Sequence, residues 1–110
     1  MKNFEEITYP NPEPYNSIYE FIKSTVLVKY PCLTSCYQSN FDEEGLPKVR
    51  YYIRYAADLT LKKWHQLSAM VEKDIEEFCL NSGISQEIFM ETDFIVTVDG
   101  DYYLRTGKGF

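Results

Sequence analysis

The sequence has few of the features that mark membrane, nucleotide-binding or hydrolytic proteins. It contains no apolar run approaching the roughly 20 residues of a membrane-spanning helix. The first residues, MKNFEEITYP, carry acids where a signal peptide has basic and then apolar residues. No Walker-type glycine loop, GxGxxG or GxSxG motif occurs among the five glycines. We therefore expect a soluble cytoplasmic protein without a membrane partner.

Histidine and cysteine are also scarce, which limits metal and nucleophilic chemistry. The chain has one histidine and three cysteines, and an odd cysteine count without a secretion signal is typical of a reducing compartment. Cys32 and Cys36 would lie about 13 Å apart on one face of a strand, too far for a disulfide. His65 and Cys79 fall about 21 Å apart on one predicted helix. The sequence thus predicts no metal, no cofactor, no catalytic residues and no enzymatic activity.

Basic side chains are outnumbered by acidic ones. Eleven lysines and arginines stand against 17 aspartates and glutamates, which gives a net charge of −6 and an isoelectric point near 4.7. A field of this sign repels phosphate backbones and anionic membranes. Direct binding of nucleic acid is therefore not expected.

The chain does have the composition of one folded domain. Its 110 residues are 45% hydrophobic and 25% charged, values that are typical of globular proteins. We expect a single domain over residues 1–110, with an extended proline-rich arm over residues 1–16 and a mobile tail over residues 107–110.

The first half of the chain predicts a helix followed by a β-hairpin. Ser17 and Glu20 have the spacing of a capping box, and Pro31 prevents continuation, so a helix is expected from Ser17 to Val28. Residues 32–41 and 48–57 are rich in β-forming side chains and are separated by an acidic loop over residues 42–47. The alternation predicts that one face of the first strand carries Leu33, Tyr37 and Phe41.

The second half predicts another helix and hairpin. A stripe at helical spacing extends over about 22 residues to a stop at Gly83. Its members are Leu61, Trp64, Leu67, Val71, Ile75 and Phe78. A short helical turn over residues 85–90 precedes strands over residues 94–98 and 101–105, which an Asp-Gly turn joins. The order α-β-β-α-β-β predicts an α+β two-layer sandwich, with a four-stranded antiparallel sheet and both helices on one face.

Two surfaces of this arrangement are candidates for binding. The first is acidic and would attract a basic protein; it consists of Asp42, Glu43 and Glu44 in the hairpin loop with Glu72, Glu76 and Glu77 on the second helix. The second is the sheet face turned away from the helices, which would carry Arg50, Tyr52, Arg54, Tyr103 and Arg105. Arginine interleaved with tyrosine can stack on a base or hold an anion. Both sets are also typical of ordinary solvated surfaces.

The absence of a catalytic set and the ten tyrosines favour binding over catalysis, because tyrosine is enriched at interfaces. The sequence therefore predicts a small acidic protein that binds another macromolecule, most simply a protein. An inhibitor or adaptor fits this description, for example a phage-encoded inhibitor of a bacterial nucleic-acid-handling or defence machine. The alternative is a binder of a small anionic or nucleotide-like ligand on the arginine and tyrosine face.

Overall fold

The computed structural model describes residues 13–100 of the chain. The elements in this range are α1 (Tyr15–Phe21), a π-helical segment (Ile22–Val26), α2 (Leu27–Lys29), β1 (Leu33–Phe41), β2 (Pro47–Tyr55), α3 (Leu61–Asn81), α4 (Gln86–Glu91) and β3 (Asp93–Val98). The fold is α+β, as the sequence predicts. No helix within the described range is long and apolar enough to cross a membrane.

The N-terminal helix begins two residues before Ser17, and the predicted capping box does not form. The Ser17 hydroxyl donates to the Glu13 carboxylate at 2.9 Å, while the Pro14 carbonyl accepts the first helical hydrogen bond from Ile18 at 3.1 Å. The serine hydroxyl that was expected to cap the backbone is therefore hydrogen-bonded to the carboxylate of Glu13, one helical turn earlier. The predicted arm over residues 1–16 is corrected at its end, since Tyr15 and Asn16 are helical; residues 1–12 lie outside the described range.

The helical stretch buries residues at a spacing of four. Ile18, Ile22 and Val26 are all fully buried, and the looser turn of the π-helical segment keeps residues at this spacing on one side. Tyr30 is already extended, and Pro31 follows it. The helix therefore ends where the proline predicts.

The sheet has the order β1–β2–β3 in the described residues, and β3 pairs with β2 in parallel. The prediction of an entirely antiparallel sheet is therefore wrong. After β2 the chain passes through α3 and α4 and returns beside β2 in the same direction, and a crossover of this kind joins parallel strands. The predicted fourth strand over residues 101–105 and the predicted tail over residues 107–110 lie outside the described range.

The antiparallel pair of β1 and β2 forms the predicted hairpin. The side chains of β1, however, do not alternate between the two faces of the sheet as predicted. The pairing shifts register between Leu33 and Ser35, and the buried residues of β1 are Leu33 and Cys36, three positions apart. The extra residue of a bulge moves all later side chains to the opposite face. Tyr37 and Phe41 are therefore exposed and do not share the face of Leu33.

Helix α3 supplies most of the helical layer and follows the prediction closely. The Thr60 hydroxyl accepts from the backbone of Lys63 at 3.1 Å to cap its start, and Gly83 follows its end with a φ of 73°. The fully packed positions of the helix are Leu67, Val71, Ile75 and Cys79. They form one core with Ile18, Ile22 and Val26 of the first helical stretch and with Tyr51, Ile53 and Tyr55 of β2.

Candidate interaction surface

The sheet face turned away from the core, called here the outer face, is built by the alternation of β2. Tyr51, Ile53 and Tyr55 are buried against the helices, so the residues between them point the other way. The strand pairing then places three rows of side chains across this face: Ser39, Arg50 and Asp93; Tyr37, Tyr52 and Ile95; and Ser35, Arg54 and Thr97. The outer face therefore contains the arginine and tyrosine residues of β2 that the sequence assigned to it.

The middle of the outer face is a stacked pair of tyrosines. The rings of Tyr37 and Tyr52 lie 4.8 Å apart at an interplanar angle of 14°, and the Arg54 guanidinium lies 4.6 Å from the centre of the Tyr37 ring. Tyr37 is nevertheless 42% exposed to solvent. The stack and the cation hold the rings in place while leaving an aromatic surface in contact with solvent.

Arg50 is held by two carboxylates. Its Nη1 lies 2.8 Å from Glu43 Oε1 and its Nε lies 3.4 Å from Asp93 Oδ2, and only 14% of the side chain is exposed. The hydrogen bond from Arg50 lowers the pKa of Glu43, and the same bond raises the pKa of Arg50. Both charges are thus maintained over the whole physiological pH range, and they neutralise each other.

Arg54 has a different environment. No carboxylate of residues 13–100 forms an ion pair with it, and its cationic group rests on Tyr37. It lines an open cleft of ≈ 590 Å³ together with Ser35, Tyr52, Thr97 and other residues at this end of the sheet. The lining of the cleft combines hydroxyl groups, aromatic surface, one guanidinium and the carboxylate of Asp99.

The predicted acidic surface is divided among several places. Asp42 Oδ1 accepts from the backbone of Glu44 and of Leu46, at 2.9 Å each, and therefore shapes the loop. Glu76 accepts from Gln86 at 3.2 Å. Glu77 faces a groove beside Phe21 and Phe78 on the helical side.

Glu72 is the one residue of the helical acids that approaches the outer face. It shares an open cleft of ≈ 500 Å³ with Glu43, Arg50, Tyr52 and Asp93. Two members of each predicted surface therefore line this cleft, Glu43 and Glu72 from the acidic set and Arg50 and Tyr52 from the sheet face, although the six acids do not form a single patch. Tyr103 and Arg105 lie outside the described residues.

Among residues 13–100, the groups with potential for covalent or metal chemistry are not brought together in one site. His65 is exposed beside Trp64 on α3, and burial raises the pKa of the Cys36 thiol to about 12 and raises that of Cys79. A thiol with a raised pKa is a poor nucleophile at neutral pH. In the described part of the chain, no three histidine, cysteine, aspartate or glutamate side chains are placed to hold a metal ion.

No family model, no curated protein and no solved structure matches this chain. The outer face, with its stacked tyrosines and Arg54, is the feature of the described residues that is best suited to recognition.

Tyr37 is the residue of this surface that sequence reasoning missed. Simple alternation from Leu33 assigns it to the core, and the bulge that reverses this assignment depends on the pairing with β2. The position of Asp93 beside Arg50 was missed as well, because it requires the parallel pairing of β3. Pairing the two hairpin strands so that Tyr37 lies opposite Tyr52 could have predicted that Tyr37 is on the outer face. No local sequence signal predicts that Asp93 lies beside Arg50.

Proposed function

We propose that the protein is non-catalytic and binds another protein through the outer face of its sheet. The observation that carries the proposal is the stacked Tyr37 and Tyr52 pair with Arg54 against it, on a face that the described helices leave uncovered. Tyrosine and arginine are, with tryptophan, the residues most enriched at the energetic centres of protein interfaces. Rings already held by stacking lose little side-chain entropy when a partner covers them.

The charge of the same face favours a protein over a small anion. Lys48 and Arg50 both lie within ion-pair distance of Asp93, and Arg50 is also paired with Glu43. Among the described residues of this face, Arg54 is left as the single cation without an ion pair, on a chain of net charge −6. Sites for phosphate or nucleotide anions depend on several converging cations or backbone donors, and the described part of this face presents one such cation.

Inhibitors and adaptors act by contact alone, and a surface with anchors but no reactive group suits that mode of action. An acidic residue beside the face, Glu72, would help to orient the encounter. It lies at one edge of the face, so a basic rim on the partner would increase the association rate.

The proposal is tested by capture from a lysate of the native cells with quantitative mass spectrometry. The double variant Tyr37→Ser with Arg54→Ser removes the proposed anchors. The matched control, Leu61→Ser with Lys62→Ser, removes one exposed apolar and one cationic side chain from the start of α3. Both variants should retain the circular dichroism spectrum of the wild type, because the four positions lie outside the core.

We expect a specific protein that the wild type and the control retain and that the Tyr37→Ser, Arg54→Ser variant loses by at least about tenfold. Equal retention by all three chains would show that binding lies elsewhere. A nucleotide panel provides the other decisive result. A melting-temperature increase with a nucleotide, abolished by Arg54→Ser alone, would replace the proposal with the small-anion alternative.

A further inference from the structure

The two outer strands of the described sheet lack the residues that usually prevent edge-to-edge pairing. Residues 33–41 of β1, LTSCYQSNF, contain no charged residue, no proline and no glycine, and the same holds for residues 94–98 of β3, FIVTV. Uncharged β-forming segments of this kind pair readily with another strand when their edge is open. The sequences of these strands therefore give no protection against strand addition.

The hydrogen bonds of the sheet show which backbone groups face its outer edges. The Asp99 N–H donates to Tyr55 O at 2.7 Å, so the backbone of Asp99 faces β2 and that of Tyr55 faces β3. This direction alternates along a strand, so Val96 faces away from β2 and Ile53 faces β3. Cys36 lies opposite Ile53 in the antiparallel pair. Opposite residues either bond to each other or both face away, so Cys36 also faces away from β2.

Each of these two outward carbonyls accepts a hydrogen bond from an aromatic side chain of the helical layer. The Tyr19 hydroxyl, on α1, donates to Cys36 O at 3.2 Å. The Trp64 indole N–H, on α3, donates to Val96 O at 2.8 Å. Both side chains are half-buried and pack against the core. A strand that paired with either edge would have to displace the ring and replace its hydrogen bond.

The edge of β1 is regular over a short distance, and Tyr19 lies within it. Register shifts at both ends of the strand leave residues 35–39 as the regular part. Gln38 lies opposite Tyr51, whose backbone faces β3 by the same alternation, so Cys36 and Gln38 are the outward residues of this part. The Tyr19 ring stacks on Tyr51 with centroids 6.2 Å apart, and this contact fixes the ring beside the edge.

We propose that Tyr19 is an edge-protecting residue, which prevents β1 from pairing with β1 of a second copy of this chain. Residues 35–39 carry no charge, so two copies of this segment would not repel each other. A two-fold antiparallel pairing would satisfy the outward groups of Cys36 and Gln38 in both copies. Trp64 protects the edge of β3 in the same way. With both edges closed, a partner reaches the described sheet through the side chains of its outer face.

Sedimentation velocity over a concentration series tests this role in the full chain. Tyr19→Ala removes both the ring and the hydroxyl from the edge. The matched control is Tyr30→Ala, because Tyr30 is also half-buried and its hydroxyl donates to Asp74 on α3 rather than to a strand. A third chain combines Tyr19→Ala with Gln38→Pro. Proline at this position removes an N–H that faces away from β2, so the bonds between β1 and β2 are retained.

We expect the wild type and Tyr30→Ala to sediment as monomers and Tyr19→Ala as a dimer. Gln38→Pro should weaken this dimer by at least about tenfold, because each copy loses one donor to the other. Hydrogen exchange locates the contact. The Gln38 amide should exchange rapidly in the wild type and more slowly in the Tyr19→Ala dimer.

Four results would contradict this role of Tyr19. A Tyr19→Ala chain with the wild-type circular dichroism could remain monomeric, or its dimer could persist unchanged with Gln38→Pro. Dimers of Tyr30→Ala would show that destabilisation alone causes association. A protected Gln38 amide in the wild type, which needs no variant, would show that the edge is already paired.

The folding of each variant is checked by circular dichroism. If Tyr19→Ala loses the wild-type spectrum, Tyr19→Leu is judged by the same criteria, because leucine retains more of the packing against Tyr51. Tyr37 and Arg54 are unchanged in all of these chains. Failure of the edge-protecting role therefore leaves the capture of a partner by the outer face unaffected, and the two proposals are tested separately.

Discussion

Two buried tyrosines of β2 should respond in opposite directions to removal of their hydroxyl groups. Tyr51 and Tyr55 both have their rings in the core. The Tyr51 hydroxyl donates to the Tyr15 carbonyl at 2.8 Å, which ties the sheet to the start of α1. The Tyr55 hydroxyl is buried and has no hydrogen-bond partner among residues 13–100. Phenylalanine at either position keeps the ring and removes the hydroxyl, so the two variants isolate the hydrogen bond.

The expected magnitudes follow from the two environments. Loss of a satisfied buried hydrogen bond typically lowers the free energy of unfolding by about 1 kcal/mol, which we expect for Tyr51→Phe. A buried hydroxyl without a partner costs the folded state roughly 1 to 3 kcal/mol, so Tyr55→Phe should raise the free energy of unfolding by about 1 kcal/mol. The two variants should therefore differ by about 2 kcal/mol with opposite signs relative to the wild type.

Urea denaturation followed by tryptophan fluorescence measures this difference directly, because Trp64 is the single tryptophan and lies against the same core. At the m-values of small proteins, a difference of 2 kcal/mol separates the two midpoints by about 1 M urea. If Tyr55→Phe destabilised the protein as much as Tyr51→Phe does, the Tyr55 hydroxyl would have a hydrogen-bond partner, and the contrast drawn between the two sites would be refuted.

Three further predictions concern charge, thiols and backbone conformation. Burial alone would raise the pKa of Asp74, but hydrogen bonds from Tyr30 and Lys29 outweigh it and hold the pKa below 3.8. Asp74→Asn should therefore lower the free energy of unfolding by about 1 kcal/mol at pH 7. In urea titrations, this difference between the variant and the wild type should vanish as the pH falls below 3.8. Ellman's reagent at pH 8 should modify half-buried Cys32 at least about tenfold faster than buried Cys36, and equal rates would contradict this burial pattern. Gly83→Ala should cost about 1 kcal/mol through its φ of 73° alone, since no atom lies within 4 Å of an added Cβ; an unchanged urea midpoint would refute that origin.

Features with a short sequence period could be predicted well. The alternation of Tyr51, Ile53 and Tyr55 with Tyr52 and Arg54 defines both faces of β2, and the structure has them as predicted. The stripe of α3 is also recovered, apart from an exposed Leu61 and a buried Cys79 at its ends. Each of these patterns depends on the backbone geometry of a single element, which is the same wherever that element packs.

The sequence by itself thus determined the α+β class, the boundaries of α3, the hairpin of β1 and β2 and the outward direction of Arg50 and Arg54. Only the tertiary structure decided that β3 lies parallel to β2, that a bulge turns Tyr37 outwards, and that Asp93 lies within ion-pair distance of Arg50. The physical reason is that strand direction and register are set by contacts between segments distant in the chain. The hydrophobic periodicity of one segment gives no information about which strand will pair with it.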